Sequence, residues 1–174
     1  MTVIRYNGQI ARGPSGKPLE IFTYAPYTEN FYRNIYSTTP LWSQGVSSGQ
    51  GSFSSLGNGT TFGMLIASSA YVELIAPAIN ISKTTGDITI EISEKREKAF
   101  SEWSFIDVYI YVDSGSWVKL QTYDTEPTGD YETHTLTGAY KNVCSTTLPV
   151  KIKFYKVNIL TYLTCYLNTF KIYE

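Results

Sequence analysis

The chain has 174 residues, and its 14 lysines and arginines nearly balance its 15 aspartates and glutamates. This length is typical of one domain, while the low charge and the 15% aromatic residues exclude a disordered chain and give no electrostatic basis for binding nucleic acid. The sequence has no apolar run of about 18 residues, and residues 1–20 contain no apolar stretch of signal-peptide length, so we expect a soluble protein without membrane insertion.

The N-terminal segment contains two short strand-like stretches. Residues 2–6 and 19–24 are rich in β-branched and aromatic residues, and we predict that they pair with each other. The chain is therefore divided into an N-terminal arm or strand pair at residues 1–28 and a main domain at residues 29–174.

Residues 43–63 differ in composition from the rest of the chain. The segment is rich in glycine and serine and has few apolar anchors, which predicts a long surface loop. Two shorter strands are predicted at residues 62–66 and 70–75.

Strict alternation marks residues 88–92, where isoleucines occupy every second position and predict a strand with one dry face. The charged stretch that follows, residues 93–103, is the one place where the sequence supports a helix, because Ser93 is a good capping residue and residues 94–98 are good helix formers. A solvated connection is the alternative, since mixed charge runs usually lie in water.

A β-hairpin is predicted at residues 106–123. Its outgoing strand turns four apolar side chains inward, namely Ile106, Val108, Ile110 and Val112. Residues 113–116 supply the turn, in which Gly115 can adopt a positive φ. The returning strand turns Val118, Leu120 and Thr122 inward. Further strands at residues 131–136, 149–157 and 162–172 complete the pattern of an all-β antiparallel sandwich.

The outer side of this hairpin is rich in aromatic residues. Tyr109 and Tyr111 point outward if the isoleucines and valines point inward, and the returning strand places Trp117 and Tyr123 on the same side. Such rings can stack on a sugar or serve as anchors in a protein interface, although Trp117 could equally be a structural residue covered by a loop. The candidate binding residues are Tyr109, Tyr111, Trp117, Tyr123 and Tyr155.

The residue types present in the chain give little support for catalysis. His134 is the single histidine and lies on a predicted strand between two threonines, so we interpret it as structural rather than as a catalytic base. Acidic residues are numerous enough to supply a pair for glycoside hydrolysis, but most lie at turns or on wet strand faces. We therefore predict no enzyme activity and no catalytic residue.

The two cysteines, Cys144 and Cys165, admit either a buried thiol pair or one disulfide. Neither belongs to a CxxC motif, and two cysteines alone cannot complete a structural zinc site. The sequence therefore predicts no redox motif and no zinc centre.

Several segments resemble, in order and spacing, the MAM-like and cleaved-adhesin-like jelly-roll domains. They are YVELIAPAINIS at 71–82, GDITIEI at 86–92, FIDVYIYVDSGSWVKL at 105–120, TGDYETHTL at 128–136, VKIKF at 150–154 and YLNTFKI at 166–172. The resemblance covers residues 31–174. It implies an antiparallel jelly-roll β-sandwich that serves as a non-catalytic module for recognising carbohydrate or protein, often as part of enzymes, adhesins or phage structural proteins.

The same resemblance implies a structural calcium ion, held by an aspartate in the last strand and an acid near the start of the domain. Here the matching positions are Asn168 and Glu29, and an amide in place of a carboxylate weakens a calcium site. We therefore predict no metal and no cofactor.

Two functions are consistent with these observations. The first is a structural or interaction module of a virion, such as a phage decoration or tail protein, or of another surface assembly, that binds a protein or glycan surface. The opening MTVIRYNGQIAR is similar to short strand–turn openings of phage tail and head-decoration proteins. The alternative is a carbohydrate-binding module accessory to a glycan-processing enzyme. The expected partners are a capsid, tail or surface fibre, or a glycan, with homo-oligomers as a further option, and the expected location is a virion or an extracellular surface.

Overall fold

The computed structural model describes residues 2–3, 5–6, 9–10, 20–21, 24–31, 42–48, 52–54, 62–66, 71–96, 103–126, 128–157 and 163–174. The N-terminal strands are β1 (Thr2–Val3), β2 (Arg5–Tyr6), β3 (Gln9–Ile10) and β4 (Glu20–Ile21). Strand β1 pairs antiparallel with β4, and β2 pairs with β3.

The first layer of the domain is a five-stranded antiparallel sheet. Its strands are β6 (Ser43–Ser48), β9 (Tyr71–Ile75), β12 (Trp103–Val112), β13 (Ser116–Tyr123) and β16 (Val150–Val157). They lie in the order β13-β12-β16-β9-β6, so strands that are distant in sequence are neighbours in space.

The second layer is a six-stranded sheet. Its strands are β5 (Tyr27–Glu29), β7 (Ser52–Ser54), β8 (Phe62–Ile66), β11 (Ile88–Arg96), β14 (Tyr131–Gly138) and β17 (Leu163–Tyr173). The order is β14-β11-β17-β8-β7, with β5 also paired to β17. The short strands β10 (Ile79–Asn80) and β15 (Thr147–Leu148) pair with each other, and a 3₁₀ turn covers Tyr140–Asn142.

The inner faces of the two sheets form one apolar core. Isoleucine, valine, leucine and phenylalanine at alternate strand positions are buried, as in Ile90, Ile110, Ile152 and Phe170, which are at most 1% exposed. The all-β antiparallel jelly-roll sandwich predicted from the sequence is confirmed. Because β5 pairs with β17, the sandwich includes Tyr27 and Thr28 as well as residues from 29 onward.

The predicted hairpin of β12 and β13 is also confirmed. Gly115 has φ of +89°, a conformation that costs little without a Cβ atom, and its amide donates to the carbonyl of Val112. The amide of Asp113 donates to the carbonyl of Val143, so the turn is tied to the segment before β15.

Two sequence predictions were wrong. Residues 43–63 are not one long loop, because they contain β6 and β7, two strands in which backbone pairing compensates for the weak strand propensity of glycine and serine. Residues 93–96 are neither a helix nor a solvated connection but the end of β11, where Glu94 and Arg96 are buried. Residues 97–102 lie outside the described part of the chain.

Cys144 and Cys165 are both buried, and neither forms a disulfide. Of the two alternatives left by the sequence, the disulfide is therefore excluded. In the part of the chain that the structure describes, no helix has the length and apolar character needed to cross a membrane.

Candidate functional site

Six aromatic residues whose side chains the structure describes lie on the outer surface of the five-stranded sheet, and we call this surface the aromatic face. Its rings are Tyr71, Phe105, Tyr109, Tyr111, Trp117 and Tyr155. The strand register explains the gathering, because residues opposite one another in an antiparallel ladder share a face. Four of the five residues predicted from the sequence, namely Tyr109, Tyr111, Trp117 and Tyr155, are brought together here.

A row of polar and charged residues crosses the middle of the aromatic face. Thr122, Asp107, Lys153 and Glu73 lie side by side on the four strands β13, β12, β16 and β9. We call them the central row. Asp107 and Glu73 are only 4% and 8% exposed, so their carboxylates lie within the surface rather than projecting from it.

Asp107 is the most heavily bonded member of the central row. Its Oδ1 accepts from the hydroxyl of Thr122 at 2.5 Å, and its Oδ2 accepts from the hydroxyl of Tyr109 at 2.9 Å. The ammonium of Lys119 lies 3.5 Å from Oδ2. These donors fix the carboxylate and, through it, the ring of Tyr109.

One aromatic group lies at the hairpin end of the face. The rings of Tyr111 and Trp117 meet edge to face with centroids 5.3 Å apart, and Tyr111 is 40% exposed. Lys151 Nζ lies 4.7 Å from the Tyr109 ring centroid and 4.9 Å from that of Trp117, and it contacts Glu73 Oε1 at 3.2 Å. This lysine links the aromatic group to the central row.

A second aromatic group lies on the other side of the central row. Phe105 and Tyr155 stack with centroids 5.1 Å apart and an interplanar angle of 16°. Tyr71 is opposite Tyr155 on β9, and Lys153 Nζ lies 3.7 Å from the Tyr71 ring centroid. Tyr109 and Phe105 are four positions apart on β12, or about 13 Å along the strand, so the two groups are separated by more than one side chain.

The hydroxyls of Tyr109 and Tyr155 stay protonated well above neutral pH. Burial, together with the hydrogen bond to Asp107, raises the pKa of Tyr109 to about 12. Burial also raises the pKa of Tyr155, with smaller contributions from the negative charges of Asp107 and Asp124. Both side chains are therefore neutral hydroxyls under ordinary conditions.

The placement predicted for Tyr123 was wrong. A β-bulge shifts the register between β12 and β13 at Val108 and Tyr109, so that Tyr123 lies opposite the inward-pointing Ile106. Its ring stacks on His134 with centroids 3.9 Å apart and packs against the core. The same shift turns Thr122 outward, and Val118, predicted to be inside, is 43% exposed at the sheet edge.

His134 lies between the sheets in a cluster of charged residues. Its Nε2 is 2.9 Å from Glu94 Oε1, and together with Glu132 these residues offer three potential metal-ligand atoms within 4.8 Å of one another. However, Arg96 Nε lies 3.1 Å from Glu94 Oε1, and its guanidinium is 3.6 Å from Glu132 Oε2. The arginine already supplies the positive charge that a metal ion would bring, so we interpret the cluster as a buried ion-pair network.

The aromatic face carries two acids, but their surroundings do not suit glycoside hydrolysis. That reaction needs one carboxyl group that holds a proton and a second that acts as base or nucleophile. Asp107 and Glu73 lie on strands separated by β16, and each has a lysine ammonium within 3.5 Å. Their oxygens are held by donors of the sheet itself, which favours a binding role.

Sequence reasoning missed Tyr71, Phe105 and the charged central row. Lys151, Lys153 and Tyr155 alternate with the buried Val150, Ile152 and Phe154 along β16 and share the outer side. What the sequence lacked was the strand order that places β16 and β9 beside β12.

No family model matches the chain, and no curated protein matches it. Among solved structures, TmCBM61 in complex with β-1,4-galactotriose is similar with a TM-score of 0.52 and 12% identity, covering 83% of this chain and 94% of that chain. A C-terminal family 22 carbohydrate-binding module of Clostridium thermocellum Xyn10B has a TM-score of 0.49 and 9% identity, covering 86% of this chain and 92% of that chain.

The enzymatically active domain of tailspike protein 4 from bacteriophage CBA120 is also similar, with a TM-score of 0.47 and 10% identity. The match covers 80% of this chain but only 20% of the tailspike chain. At these identities the similarity is one of fold, and the likeness to TmCBM61 agrees with the jelly-roll sandwich described above.

Proposed function

We propose that this chain is a non-catalytic glycan-binding module and that the aromatic face is its binding surface. The observation that carries the proposal is the arrangement of two aromatic groups on either side of a polar central row. A sugar ring presents an apolar C–H face and an edge of hydroxyls, so it needs aromatic surface and hydrogen-bonding groups at the same place. The aromatic face offers both on four neighbouring strands.

The polar groups of the face are held in position before a ligand arrives. Asp107 is fixed by three donors, and Lys151 contacts both Glu73 and two rings. Groups that are already ordered lose little conformational entropy on binding, which favours affinity. The fold shared with TmCBM61, which was solved with a galactotriose, supports the proposal.

A second candidate function is docking onto a protein assembly, including the virion role expected from the sequence and its resemblance to MAM-like domains. One observation favours it. Tyr111, Val118 and Val143 are each at least 40% exposed and lie near the hairpin of β12 and β13, where Asp113 bonds to Val143. Exposed apolar side chains at one end of a domain are a feature of contact surfaces.

The glycan-binding proposal predicts that Tyr111→Ala and Trp117→Ala each weaken binding by about 1 to 3 kcal/mol, as expected for aromatic anchors. Binding is measured on an oligosaccharide array and then by calorimetry with the glycans that give a signal. Folding is checked by circular dichroism and thermal melting, which both variants should leave close to those of the parent.

Tyr131→Ala is the matched control, because Tyr131 is a 46% exposed tyrosine on the six-stranded sheet. It should leave glycan affinity unchanged. The proposal fails if the folded Tyr111→Ala and Trp117→Ala variants bind every glycan as tightly as the parent. Absence of any glycan signal, combined with attachment to a particle or fibre that Tyr111→Ala removes, would favour the docking function.

A further inference from the structure

Lys153 is distinct from the other lysines of the aromatic face in its contacts. Lys119 is paired with Asp107 at 3.5 Å and Lys151 with Glu73 at 3.2 Å. Lys153 lies between these same two acids in the strand register, yet within the described residues its ammonium forms no ion pair. The carboxylates beside it are already engaged by other donors.

The ammonium of Lys153 is held by aromatic rings instead. Nζ lies 3.7 Å from the Tyr71 centroid and 5.9 Å from the Tyr155 centroid. The negative face of a ring attracts a cation but supplies no lone pair of the kind that a carboxylate or carbonyl offers to an N–H donor. The half-buried Lys153 is therefore a positioned cation that retains capacity to donate to an anion.

The distribution of acids indicates where an anionic group would be accepted. Asp124, which follows β13, is near enough to Tyr155 that its charge helps to raise the pKa of that tyrosine. It belongs to the β13 edge of the sheet, whereas Lys153 leans toward Tyr71 on β9. The positive charge is thus available toward Tyr71 on β9, where the neighbouring Glu73 is already paired with Lys151, and away from Asp124.

We propose that the aromatic face selects acidic glycans and that Lys153 receives the carboxylate of a uronic acid residue. This inference rests on the proposed glycan-binding function and adds the chemical class of the ligand. The sugar ring would stack on the neighbouring tyrosines, and its carboxylate would form a charge-assisted hydrogen bond with Nζ, which is stronger than a bond between neutral groups. A neutral sugar hydroxyl at the same position would leave the charge of Lys153 without a counter-ion.

The test compares acidic oligosaccharides with neutral versions of the same backbones. The probes are oligomers of galacturonate, glucuronate and mannuronate, each alongside its carboxyl-reduced counterpart. The parent should bind at least one acidic oligomer about tenfold or more tightly than its neutral counterpart, as expected for a hydrogen bond to a charged group. This preference should decrease with rising salt concentration, because exposed charges are screened.

Two lysine variants test whether Lys153 is the source of the preference for acidic oligomers. Lys153→Met keeps most of the length of the side chain but removes the charge, and it should reduce the acidic-over-neutral preference to about onefold to threefold. Lys171→Met removes the same charge from a lysine that lies on the six-stranded sheet, is paired with Glu91 and is 39% exposed, and it should retain the full preference. Thermal melting confirms that both variants are folded.

The inference is overturned if neutral and acidic members of each pair bind equally well, or if the folded Lys153→Met variant keeps the full preference. In those cases the proposed glycan-binding function still stands as long as Tyr111→Ala and Trp117→Ala lose affinity for the neutral oligomers. If neither set of oligomers binds and the array is also silent, both the inference and the proposed function fail.

Discussion

Ile110 shows how a single position distinguishes the two faces of a strand. It is 1% exposed and lies between Val118 and Val150 on the neighbouring strands, while the adjacent Tyr109 and Tyr111 belong to the aromatic face. The alternation of apolar and aromatic residues in β12 therefore places one side in the core and the other on the aromatic face, the proposed binding surface.

Replacing Ile110 with aspartate is expected to unfold the domain. An unpaired carboxylate in an apolar core costs several kcal/mol, which is comparable to the whole stability of about 5 to 15 kcal/mol of a typical domain. The variant should show no cooperative transition in a thermal melt followed by circular dichroism.

Glu91→Ala provides the control on the neighbouring layer. Glu91 accepts from Lys171 at 2.6 Å, and this bond lowers the pKa of the carboxyl group, but exposed pairs of this kind are worth about 0 to 1 kcal/mol. The melt of Glu91→Ala should stay near that of the parent. A parent-like melt of Ile110→Asp would contradict the observed register.

At the level of elements, the bulge in the hairpin of β12 and β13 decides which aromatic residues serve the core. Before the bulge, Trp117 is opposite Tyr111 on the outer side; beyond it, Tyr123 is opposite Ile106 on the inner side. An extra residue on one strand inverts the faces of every residue that follows. Two similar aromatic residues of one strand therefore have different roles.

Tyr123→Ala is accordingly expected to lower stability rather than glycan affinity. The variant loses the stack on His134 and leaves a partly filled space beside the core, which should cost about 2 to 3 kcal/mol, somewhat less than a fully buried aromatic residue. Urea unfolding measures the loss, and binding is measured below the transition. If Tyr123→Ala keeps full stability but loses binding, Tyr123 belongs to the binding surface and the bulge assignment is wrong.

Most of the long strands could be predicted from the sequence, because alternating isoleucine and valine is a local signal. Residues 62–66 were predicted as a strand and form β8, and residues 88–92 lie within β11. Strands β6 and β7 could not be recognised in the same way. Their backbone pairing with β9 and β8 depends on residues that are distant in sequence.

The candidate site was predictable only in part for the same reason. Tyr109, Tyr111 and Trp117 share one hairpin, so local alternation indicated their common face. The central row draws on four strands, and the outward position of Thr122 depends on a bulge that has no distinctive residue pattern. A helix or a solvated connection was predicted for the charged run that begins at residue 93, but residues 93–96 are part of a strand. The sequence does not show that the buried charges of β11 are stabilised by partners, some of which lie on other strands.

For the molecule as a whole, a buried arginine connects the two sheets at a point where the core is not apolar. Arg96 Nη1 donates to the carbonyl of Ser104 in the five-stranded sheet at 2.8 Å and to that of Thr125 at 3.2 Å. Its Nε is 3.1 Å from the fully buried Glu94 of its own strand. Arg96 therefore satisfies backbone carbonyls of one layer and a carboxylate of the other.

Arg96→Met is expected to destabilise the protein by about 3 to 5 kcal/mol, because it leaves the carboxylate of Glu94 in the interior without its cation. The double variant Glu94→Gln/Arg96→Met removes that charge as well, and it should recover part of the lost free energy of unfolding. Urea denaturation of the parent, both single variants and the double variant gives the coupling between the two residues.

The pair does not act as a unit if Arg96→Met is as stable as the parent, or if the double variant loses the sum of the two single losses in the free energy of unfolding. A positive coupling would instead show that the stability of the sandwich depends on an ion pair as well as on apolar packing.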